Sequence, residues 1–468
     1  MININYKIKK EQYLILLLIA LGLYLRHVNL FFEDYWADEM LGFANSDPKI
    51  TLSETLKKIE TSIEKTPLLF HILIKYFYKF FGYFPENGRF FTLLIGVAVI
   101  PVMPLICREL NNKKSSLLLS FLVCTNIYLI NYSQEVRPYI LLFFISAINI
   151  YIFLKLINNP IKNKFFWFFY FLLISILGFL THPFFFIILI SEAFFCFIKV
   201  FYYDKNLKKV FFIIAATSLV CLFLQYEYIF NLLQDKGHWI DDHSKKYGDL
   251  FFPKFFGSKI MGAIYFIFLS TLIIKYRKKV FSIKNNYIFF IFLIFFSYFL
   301  PLAYGFAREH ILYDRYVIFI LIPILTLISI LIYEIKKIKL RIALISILLI
   351  STLSNLYIEI KNKTNYKPEV KKLLLSINNL DNQEYKKNIF ISIKDNPPNL
   401  IEYILKLDEY NKNDFTIIEE KKLLKNDFWL ICYTEPNGVI CPFEDDEKKF
   451  KTKKIIQTYR TVAKYYFK

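Results

Sequence analysis

Long apolar runs alternate with short polar stretches along most of this sequence. Each run holds about twenty apolar residues, which as a helix is long enough to cross the ~30 Å hydrocarbon core of a bilayer. Because lipid offers backbone groups no water to bond, these runs are predicted to be helical. We predict about eleven transmembrane helices, near residues 12–31, 89–107, 115–131, 138–157, 165–181, 184–201, 210–230, 259–275, 287–304, 316–334 and 340–358.

The pattern changes after about residue 360, where shorter apolar stretches follow one another. Lys367–Leu380 and Pro397–Leu407 have the spacing of amphipathic helices. Strands are predicted at Asn388–Ile393, Phe415–Ile418, Phe428–Tyr433 and Ile455–Tyr459. We therefore predict a polytopic α-helical membrane protein, with a transmembrane domain at 1–360 and a small extracytoplasmic α/β domain at 361–468.

Composition and charge favour a membrane protein over a nucleic-acid binder. Of the 468 residues, 56% are hydrophobic and 19% aromatic, and the mean hydropathy is +0.39. The formal net charge is +20, but Lys and Arg concentrate in every second short loop, as they do in cytoplasmic loops. This orients the chain with its N-terminus inside and its C-terminal domain outside. The phenylalanine and tyrosine runs then face lipid, and no nucleic-acid partner is expected.

Two outer loops and the C-terminal domain are large enough to build a site. The first outer loop, 32–88, carries amphipathic stretches at Ile50–Ile59 and Pro67–Phe81, and the other large outer loop is 231–258. In the C-terminal domain, Cys432 and Cys441 flank a Pro-Asn-Gly turn. They either close a disulfide in an oxidising compartment or remain two free thiols.

Ionisable residues gather on the predicted outer side, next to lipid. They belong to four stretches, FFEDYWADEM (31–40), IEKTPLLF (63–70), NYSQEVRPY (131–139) and AREHILYDRY (307–316). Charged groups at a membrane boundary are costly unless they are paired or functional. Carboxylates and cations in this place suit a substrate with an anionic head and a hydrocarbon tail, such as a polyprenyl-phosphate sugar.

Transfer of a sugar from such a lipid requires few protein groups. The leaving phosphate is already an anion, so it needs only cations, and the arginine fork matches phosphate oxygens. The acceptor loses a proton as it attacks, which requires one carboxylate base. This chemistry needs no cofactor and no metal, although an Asp-Glu pair is able to hold a divalent ion.

Several of these stretches resemble the integral-membrane GT-C glycosyltransferases, in particular the protein O-mannosyltransferases, the lipid A aminoarabinose transferases and their bacterial relatives. The resemblance extends from Asp38 to about Pro323. ADEMLGFANS (37–46) is similar to the Asp-Glu motif of the family's first outer loop, and YSQEVRPYILL (132–142) is the most specific match. EKTPLLFHIL (64–73), GRFFTLL (88–94), LTHPFFFIIL (180–189) and DRYVIFILIPIL (314–325) are also similar, with Thr66 and Pro183 departing from the family pattern.

The resemblance implies an inverting glycosyltransferase that moves a hexose or pentose from a polyprenyl-phosphate donor to an envelope glycolipid, polysaccharide or protein. Under it, Asp38 is the catalytic base, and Glu39 is expected to orient Asp38 or its neighbours. The donor phosphate is expected to contact Lys65, Arg137, Arg315 and Arg308, with Glu64, Arg89, Glu135, His182 and Tyr316 in supporting places. It also implies the bacterial inner (cytoplasmic) membrane, with the active site facing the periplasm or exterior.

Other interpretations of the same residues stay open. The arginines and Lys65 also suit anchors at the lipid headgroups. A lipid-linked-sugar flippase or another transporter would place charges within the spans, where Glu192 and Glu227 are the candidates. A glycan ligase or polymerase shares the donor but usually carries its long outer loop late in the chain. A non-catalytic scaffold would not depend on Asp38.

Overall fold

The part of the chain predicted to lie in the membrane is built from helices joined by short turns. The structure, a computed structural model, describes residues 10–61, 68–158, 164–224, 226, 230, 250–380, 384–391, 399–411, 415–418, 427–433 and 451–467. Its α-helices up to the C-terminal domain are α1 (Lys10–His27), α2 (Ala37–Asn45), α3 (Leu52–Thr61), α4 (Leu68–Phe81), α5 (Pro85–Ala98), α6 (Met103–Glu109), α7 (Ser116–Thr125), α8 (Ile127–Tyr132), α9 (Tyr139–Asn158), α10 (Lys164–Thr181), α11 (Phe186–Tyr202), α12 (Lys208–Leu224), α13 (Phe252–Phe256), α14 (Lys259–Lys275), α15 (Arg277–Val280), α16 (Tyr287–Ala307), α17 (Leu321–Tyr333) and α18 (Ile338–Lys361). Short 3₁₀ helices lie at Lys113–Ser115, Pro183–Phe185, Lys205–Leu207 and Asp314–Ile320.

Each predicted span coincides, over its described residues, with one helix or with two in succession. The span predicted at 115–131 is divided at Asn126, whose side chain accepts a hydrogen bond from the Leu129 N–H at 2.9 Å and so begins α8. Within the described residues, six helical segments are long and apolar enough to cross a membrane unaided. They are Pro85–Glu109, Tyr139–Asn158, Pro183–Tyr202, Tyr287–Ala307, Asp314–Tyr333 and Ile338–Lys361. The helical membrane architecture is confirmed, and the figure of about eleven crossings stays a prediction.

Buried polar groups fix the end of α1 against its neighbours. Arg26 is fully buried and donates to the carbonyl oxygens of Cys124 and Val123 at 3.1 and 3.3 Å, and to Ser133 Oγ at 3.1 Å. Gly96 in α5 makes room for this contact, since a Cβ there would lie 2.1 Å from Ser133 Oγ. The segment that leads from α1 into the Asp-Glu motif therefore starts from a rigid point.

The segment predicted as the first outer loop folds into short helices. Helix α2 carries Asp38 and Glu39 in its first turn, where the N-terminal end of a helix favours carboxylates. The two predicted amphipathic stretches are helical and correspond to α3 and α4. Lys75 of α4 is buried and donates to the carbonyl oxygens of Asp47 and Ile50 at 2.6 Å each. Helix α4 therefore secures the turn between α2 and α3.

The C-terminal domain is a mixed sheet with helices, as predicted. Its elements are α19 (Val370–Asn378), β1 (Asn388–Ile391), α20 (Leu400–Ile404), α21 (Asp408–Asn411), β2 (Thr416–Ile418), β3 (Phe428–Tyr433), β4 (Lys451–Thr458) and β5 (Thr461–Phe467). The strand order is β2-β1-β3-β5-β4, with β1 parallel to β2 and β3, and β5 antiparallel to β3 and β4. Trp429 pairs with Ile389 and Tyr465 across the centre of the sheet and is fully buried, so the core of the domain lies there.

The sequence prediction missed β5. Thr461, Ala463 and Tyr465 alternate as its buried residues, but the turn before it contains no glycine, proline or asparagine. Arg460 instead adopts the left-handed conformation, with φ of 55°. In β3, Cys432 is disulfide-bonded, while Cys441 lies outside the described residues.

Candidate active site

The first turn of α2 places the Asp38 carboxylate beside two arginines from distant parts of the chain. Asp38 Oδ2 lies 3.5 Å from Arg137 Nη2 and 3.6 Å from Arg315 Nη2. Arg137 also donates to the Asp38 backbone oxygen at 3.1 Å. The Asp38 side chain is 22% exposed, whereas the two arginines, here called the arginine pair, are buried. Three residues that the sequence singled out therefore meet in one place.

Aromatic rings surround the arginine pair. The guanidinium carbon of Arg137 lies 5.7 Å from the centroid of the Tyr139 ring. That of Arg315 lies 5.1 to 5.7 Å from the ring centroids of Tyr313, Tyr139, Trp36 and Tyr316. Aromatic faces attract cations, so the rings stabilise two like-charged groups that would otherwise repel each other.

His182 packs in the same aromatic shell. Its ring centroid lies 5.0 Å from that of Tyr316 and 5.9 Å from that of Tyr139. Its Nδ1 accepts a hydrogen bond from the Phe184 N–H at 3.2 Å, which caps the short helix that follows. His182 and Tyr316 are thus both neighbours of the arginine pair, where supporting residues were expected.

Glu39, the second carboxylate of the motif, has different partners. It is fully buried, and its Oε1 accepts a hydrogen bond from the Val136 N–H at 2.9 Å. Its Oε2 lies 2.7 Å from Lys367 Nζ and 3.5 Å from Arg89 Nη2. Burial acts to raise the pKa of Glu39, but the two cations and the N–H donor outweigh burial and hold the pKa below its ordinary value. Of the two carboxylates, Asp38 is the one that solvent reaches.

Arg89 connects Glu39 to the segment that precedes α2. Its guanidinium donates to the carbonyl oxygens of Leu30 and Asp34 at 2.9 and 3.0 Å. It also lies over the Tyr35 ring, 5.0 Å from the centroid. These contacts shape the backbone that leads into Asp38, so Arg89 acts on the site through the loop.

Residues 363–371, here called the strap, lead from α18 into α19 and complete the site from the C-terminal side. Lys367 Nζ lies 2.7 Å from Glu39 Oε2 and 3.1 Å from Glu135 Oε1. Further contacts join the strap to the first outer loop and to the 131–139 loop, namely Lys363 Nζ with Gln134 Oε1 at 2.9 Å, Tyr366 N–H with Glu33 Oε1 at 3.0 Å, and Lys371 N–H with Asp34 Oδ2 at 2.8 Å. No motif in the sequence marked these lysines, since lysine is common throughout the chain.

A second ion pair borders the arginine pair and was also not predicted. Lys254 Nζ lies 2.8 Å from Asp314 Oδ1, and the Tyr128 hydroxyl donates to Asp314 Oδ2 at 2.9 Å. Lys254 Nζ also lies 5.0 Å from the centroid of the Tyr313 ring, which is one of the four rings around Arg315. About half of the Lys254 side chain is exposed, so it is a third cation at the edge of the site.

The remaining predicted site residues are Arg308, Glu64 and Lys65. Arg308 lies at the exposed end of α16, where it caps the helix. Glu64 and Lys65 lie outside the described residues, and so does most of the predicted outer loop 231–258. Their assignment to the site stays a prediction.

A metal ion would need a set of available ligands, and the described residues do not provide one. Within that part of the chain, no three side chains of His, Cys, Asp or Glu come together as ligands. The carboxylates of Glu39 and Glu135 face the Lys367 ammonium instead. The residues around Glu39 therefore do not fit a divalent ion.

Comparison with known proteins reveals a likeness of fold. No protein-family model and no curated protein matches the sequence. ArnT from Cupriavidus metallidurans in the apo state is similar over 98% of this chain and 98% of its own, with a TM-score of 0.60 and 9% identity. The same protein bound to undecaprenyl phosphate is similar over 96% of this chain and 97% of its own, with a TM-score of 0.56 and 10% identity.

A second GT-C protein is similar over a smaller share of its length. The oligosaccharyltransferase of Archaeoglobus fulgidus, in a complex with Zn and sulfate, matches 81% of this chain with a TM-score of 0.53 and 13% identity. This chain spans 60% of the length of that protein. The match to ArnT, in contrast, includes the C-terminal domain as well as the helices.

Proposed function

Because this chain has the GT-C fold of membrane glycosyltransferases, we propose that it transfers a sugar from a polyprenyl-phosphate-linked donor to an envelope acceptor. The observation that carries the proposal is the solvent-accessible Asp38 carboxylate within 3.6 Å of two buried, ring-bound arginines. The complex of ArnT with undecaprenyl phosphate supports the choice of donor, since that lipid is the product left when such a donor loses its sugar. The reaction takes place at the outer face of the bacterial inner membrane.

The arginine pair binds the donor phosphate in this proposal. A guanidinium group offers several N–H donors in a planar fork that matches the geometry of phosphate oxygens. Negative charge grows on the phosphate as its bond to the sugar breaks, and two fixed cations stabilise that charge most in the transition state. The aromatic rings hold the cations in place before the donor arrives, which lowers the cost of reorganisation. Lys254, paired with Asp314 at the edge, Lys65 and Arg308 are proposed as further contacts.

Asp38 acts as the base. The acceptor hydroxyl or amine gives its proton to the carboxylate as its oxygen or nitrogen forms a bond to the anomeric carbon. The bond from that carbon to the phosphate oxygen breaks at the same time, and polyprenyl phosphate leaves with the electron pair. Attack opposite the leaving group inverts the configuration of the sugar. Glu39 does not touch the reactants in this scheme and instead fixes the helix turn that carries Asp38.

One structural observation favours a transporter, and it deserves a direct test. Glu192 in α11 is fully buried, and within the described residues its two carboxylate oxygens make no hydrogen bond. A carboxylate inside a membrane helix often marks an ion or substrate pathway. The other candidate, Glu227, lies outside the described residues.

The test compares complemented deletion strains by mass spectrometry of envelope glycans and polyprenyl-phosphate sugars. The strains produce wild-type protein, Asp38→Asn, Glu192→Gln or the control Asp47→Asn, at equal protein levels. Asp47 lies in the same outer loop and undergoes the same chemical change, but its carboxylate accepts a local hydrogen bond, from the Lys49 N–H, and is not part of the arginine-pair site. A transferase predicts that Asp38→Asn leaves a glycan one sugar short and lets the donor accumulate, whereas Glu192→Gln and Asp47→Asn behave as wild type.

Two other outcomes would contradict the proposal. Full glycans in the Asp38→Asn strain would show that Asp38 is not the base. Loss of the sugar in the Glu192→Gln strain but not in the Asp38→Asn strain would move the function to transport.

A further inference from the structure

Lys367 occupies the space between two carboxylates of the site, although it belongs to the strap and not to any motif. Its ammonium lies 2.7 Å from Glu39 Oε2 and 3.1 Å from Glu135 Oε1. Only 9% of the side chain is exposed. A lysine this deeply buried is stable only where its charge is balanced, and here the balancing charges come from the two loops that frame Asp38.

The charges in this cluster cancel without any added ion. Glu39 and Glu135 supply two negative charges, and Lys367 and Arg89 supply two positive ones. Burial acts to lower the pKa of Lys367, but Glu135 and Glu39 outweigh burial and raise the pKa above its ordinary value. A divalent ion added beside two cations would meet repulsion from both.

We propose that Lys367 is a positioning residue that takes the place of a divalent cation between the first outer loop, which carries Glu39, and the 131–139 loop, which carries Glu135. The ammonium joins Glu39 in α2 to Glu135 in the 131–139 loop. Asp38 directly precedes Glu39 in α2, and Arg137 comes two residues after Glu135. A single charge from the C-terminal domain thereby sets the distance between the proposed base and one of the proposed phosphate-binding arginines.

The structure also shows how an ion would reach this place if the lysine were absent. A cavity of about 250 Å³ lies next to the strap, and its walls include Lys367, Glu135, Arg89 and Glu33. Removal of the lysine amine would leave the Glu135 carboxylate at the cavity wall, and both Glu135 and Glu39 would lose the cation that they share. Carboxylate oxygens are the ligands that Mg²⁺ and Mn²⁺ prefer.

The experiment measures Mn²⁺ binding to purified full-length protein by electron paramagnetic resonance, with Mn²⁺ alone as the probe. Wild type is compared with Lys367→Met, Lys367→Arg and the double variant Glu135→Gln/Lys367→Met. We expect Lys367→Met to bind one Mn²⁺ at least about tenfold more tightly than wild type, because Glu39 and Glu135 lose the cation that they share. Lys367→Arg keeps the cation and the double variant removes one carboxylate, so both are expected to bind Mn²⁺ no better than wild type.

If Lys367→Met is too unstable to purify without metal, a second measurement is made. The yield of folded protein is then compared with and without Mn²⁺ during extraction, for Lys367→Met and for the double variant. Rescue by Mn²⁺ of the single variant alone supports the proposal. Equal behaviour of the two variants, or tight Mn²⁺ binding by wild type, would overturn it.

The inference rests on the proposed function where it names Asp38 as the base and Arg137 as a phosphate contact, and where it predicts transfer activity. The Mn²⁺ measurement uses no sugar and no lipid donor, so its failure is distinguishable from failure of the glycan test. For activity, the same inference predicts that Lys367→Arg retains transfer, whereas Lys367→Met loses it and regains part of it in Mn²⁺. A merely structural lysine would not give a metal-dependent rescue.

Discussion

Tyr403 of the C-terminal domain stacks on Tyr35 of the first outer loop, with ring centroids 5.2 Å apart and ring planes inclined by 12°. Its hydroxyl accepts a hydrogen bond from the Tyr35 backbone N–H at 3.1 Å, and the Tyr35 hydroxyl donates to the Pro85 carbonyl oxygen. Both rings are fully buried. The C-terminal domain therefore fixes the backbone three residues before Asp38, independently of the strap.

The Tyr403 hydroxyl is expected to contribute to stability through this contact. Tyr403→Phe leaves the ring stack but removes the acceptor of a buried N–H, which costs about 1–3 kcal/mol. Tyr403→Ala also removes the ring and is expected to cost more, about 3–5 kcal/mol. Thermal unfolding of the purified protein measures both changes.

Tyr366→Phe is the matched control, since the Tyr366 ring is 67% exposed. It makes the same chemical change in the strap and should leave the unfolding temperature as in wild type. An unchanged unfolding temperature for Tyr403→Phe would show that the hydrogen bond does not hold the loop.

Arg315→Lys should weaken binding of the lipid phosphate while the protein stays folded. Lysine keeps the positive charge but loses the planar fork and the stacking on four rings. We expect about tenfold weaker binding of undecaprenyl phosphate, measured with the protein in nanodiscs. The equivalent change at Arg137, which lies over one ring, is expected to have an effect of the same sign.

Arg341→Lys is the control for this change. Arg341 also lies over a tyrosine, 5.4 Å from the Tyr333 ring centroid, but it belongs to α18 at the predicted cytoplasmic end. The Arg341→Lys variant should bind undecaprenyl phosphate as wild type does. Equal affinity for wild type and Arg315→Lys would remove Arg315 from the phosphate site.

Asp34 is expected to make the free energy of unfolding fall as pH rises. Burial raises its pKa from 3.8 to about 6, despite the Lys371 N–H and the nearby Lys371 and Arg89 charges, which act in the opposite direction. The folded protein thus binds a proton at Asp34 that the unfolded chain has released, so the contribution of this group to stability falls as pH rises from about 4 to about 6. Above that range the cost of the charged form reaches about 3 kcal/mol at most.

Asp34→Asn removes this titration and keeps an oxygen that accepts from the Lys371 N–H. Its unfolding temperature, relative to that of wild type, should therefore rise between pH 4 and pH 6.5 and then level off. Thermal unfolding of both proteins across this range provides the measurement. A constant difference between them at all pH values would show that Asp34 has an ordinary pKa in the folded protein.

The helices of this fold were predictable because apolar run length alone specifies them in lipid. The central part of the site was predictable for another reason, since Asp38, Arg137 and Arg315 lie in stretches that resemble a known family. The resemblance also assigned different roles to Asp38 and Glu39, but it did not show which of the two carboxylates solvent reaches. Successive residues of an α-helix point about 100° apart, so the two side chains face different surroundings. The packing around α2 buries Glu39 against Lys367 and leaves Asp38 accessible to solvent.

The contacts that the sequence did not indicate are all non-local. Lys367 and Lys254 have no local pattern that distinguishes them from the other lysines of a lysine-rich chain, and their partners come from other loops. Strand β5 was missed because its turn uses Arg460 in a conformation that sequence rules assign to glycine or asparagine. For the two lysines, the deciding information lies in residues brought together only by the complete fold, whereas for β5 it lies in the conformation of one turn residue.

Because Glu39 and its partner Lys367 are far apart in sequence, Lys367 is synthesised long after Glu39. The two residues are 328 positions apart, and a ribosome adding about 5–20 residues per second needs roughly 15–65 s to cover that distance. During that interval the membrane helices that follow the Asp-Glu turn are made one after another, but the ammonium that pairs with Glu39 has not yet been made. Premature termination before the strap would therefore leave a membrane-embedded fragment that holds no ordered site, and translation itself determines when the protein becomes competent.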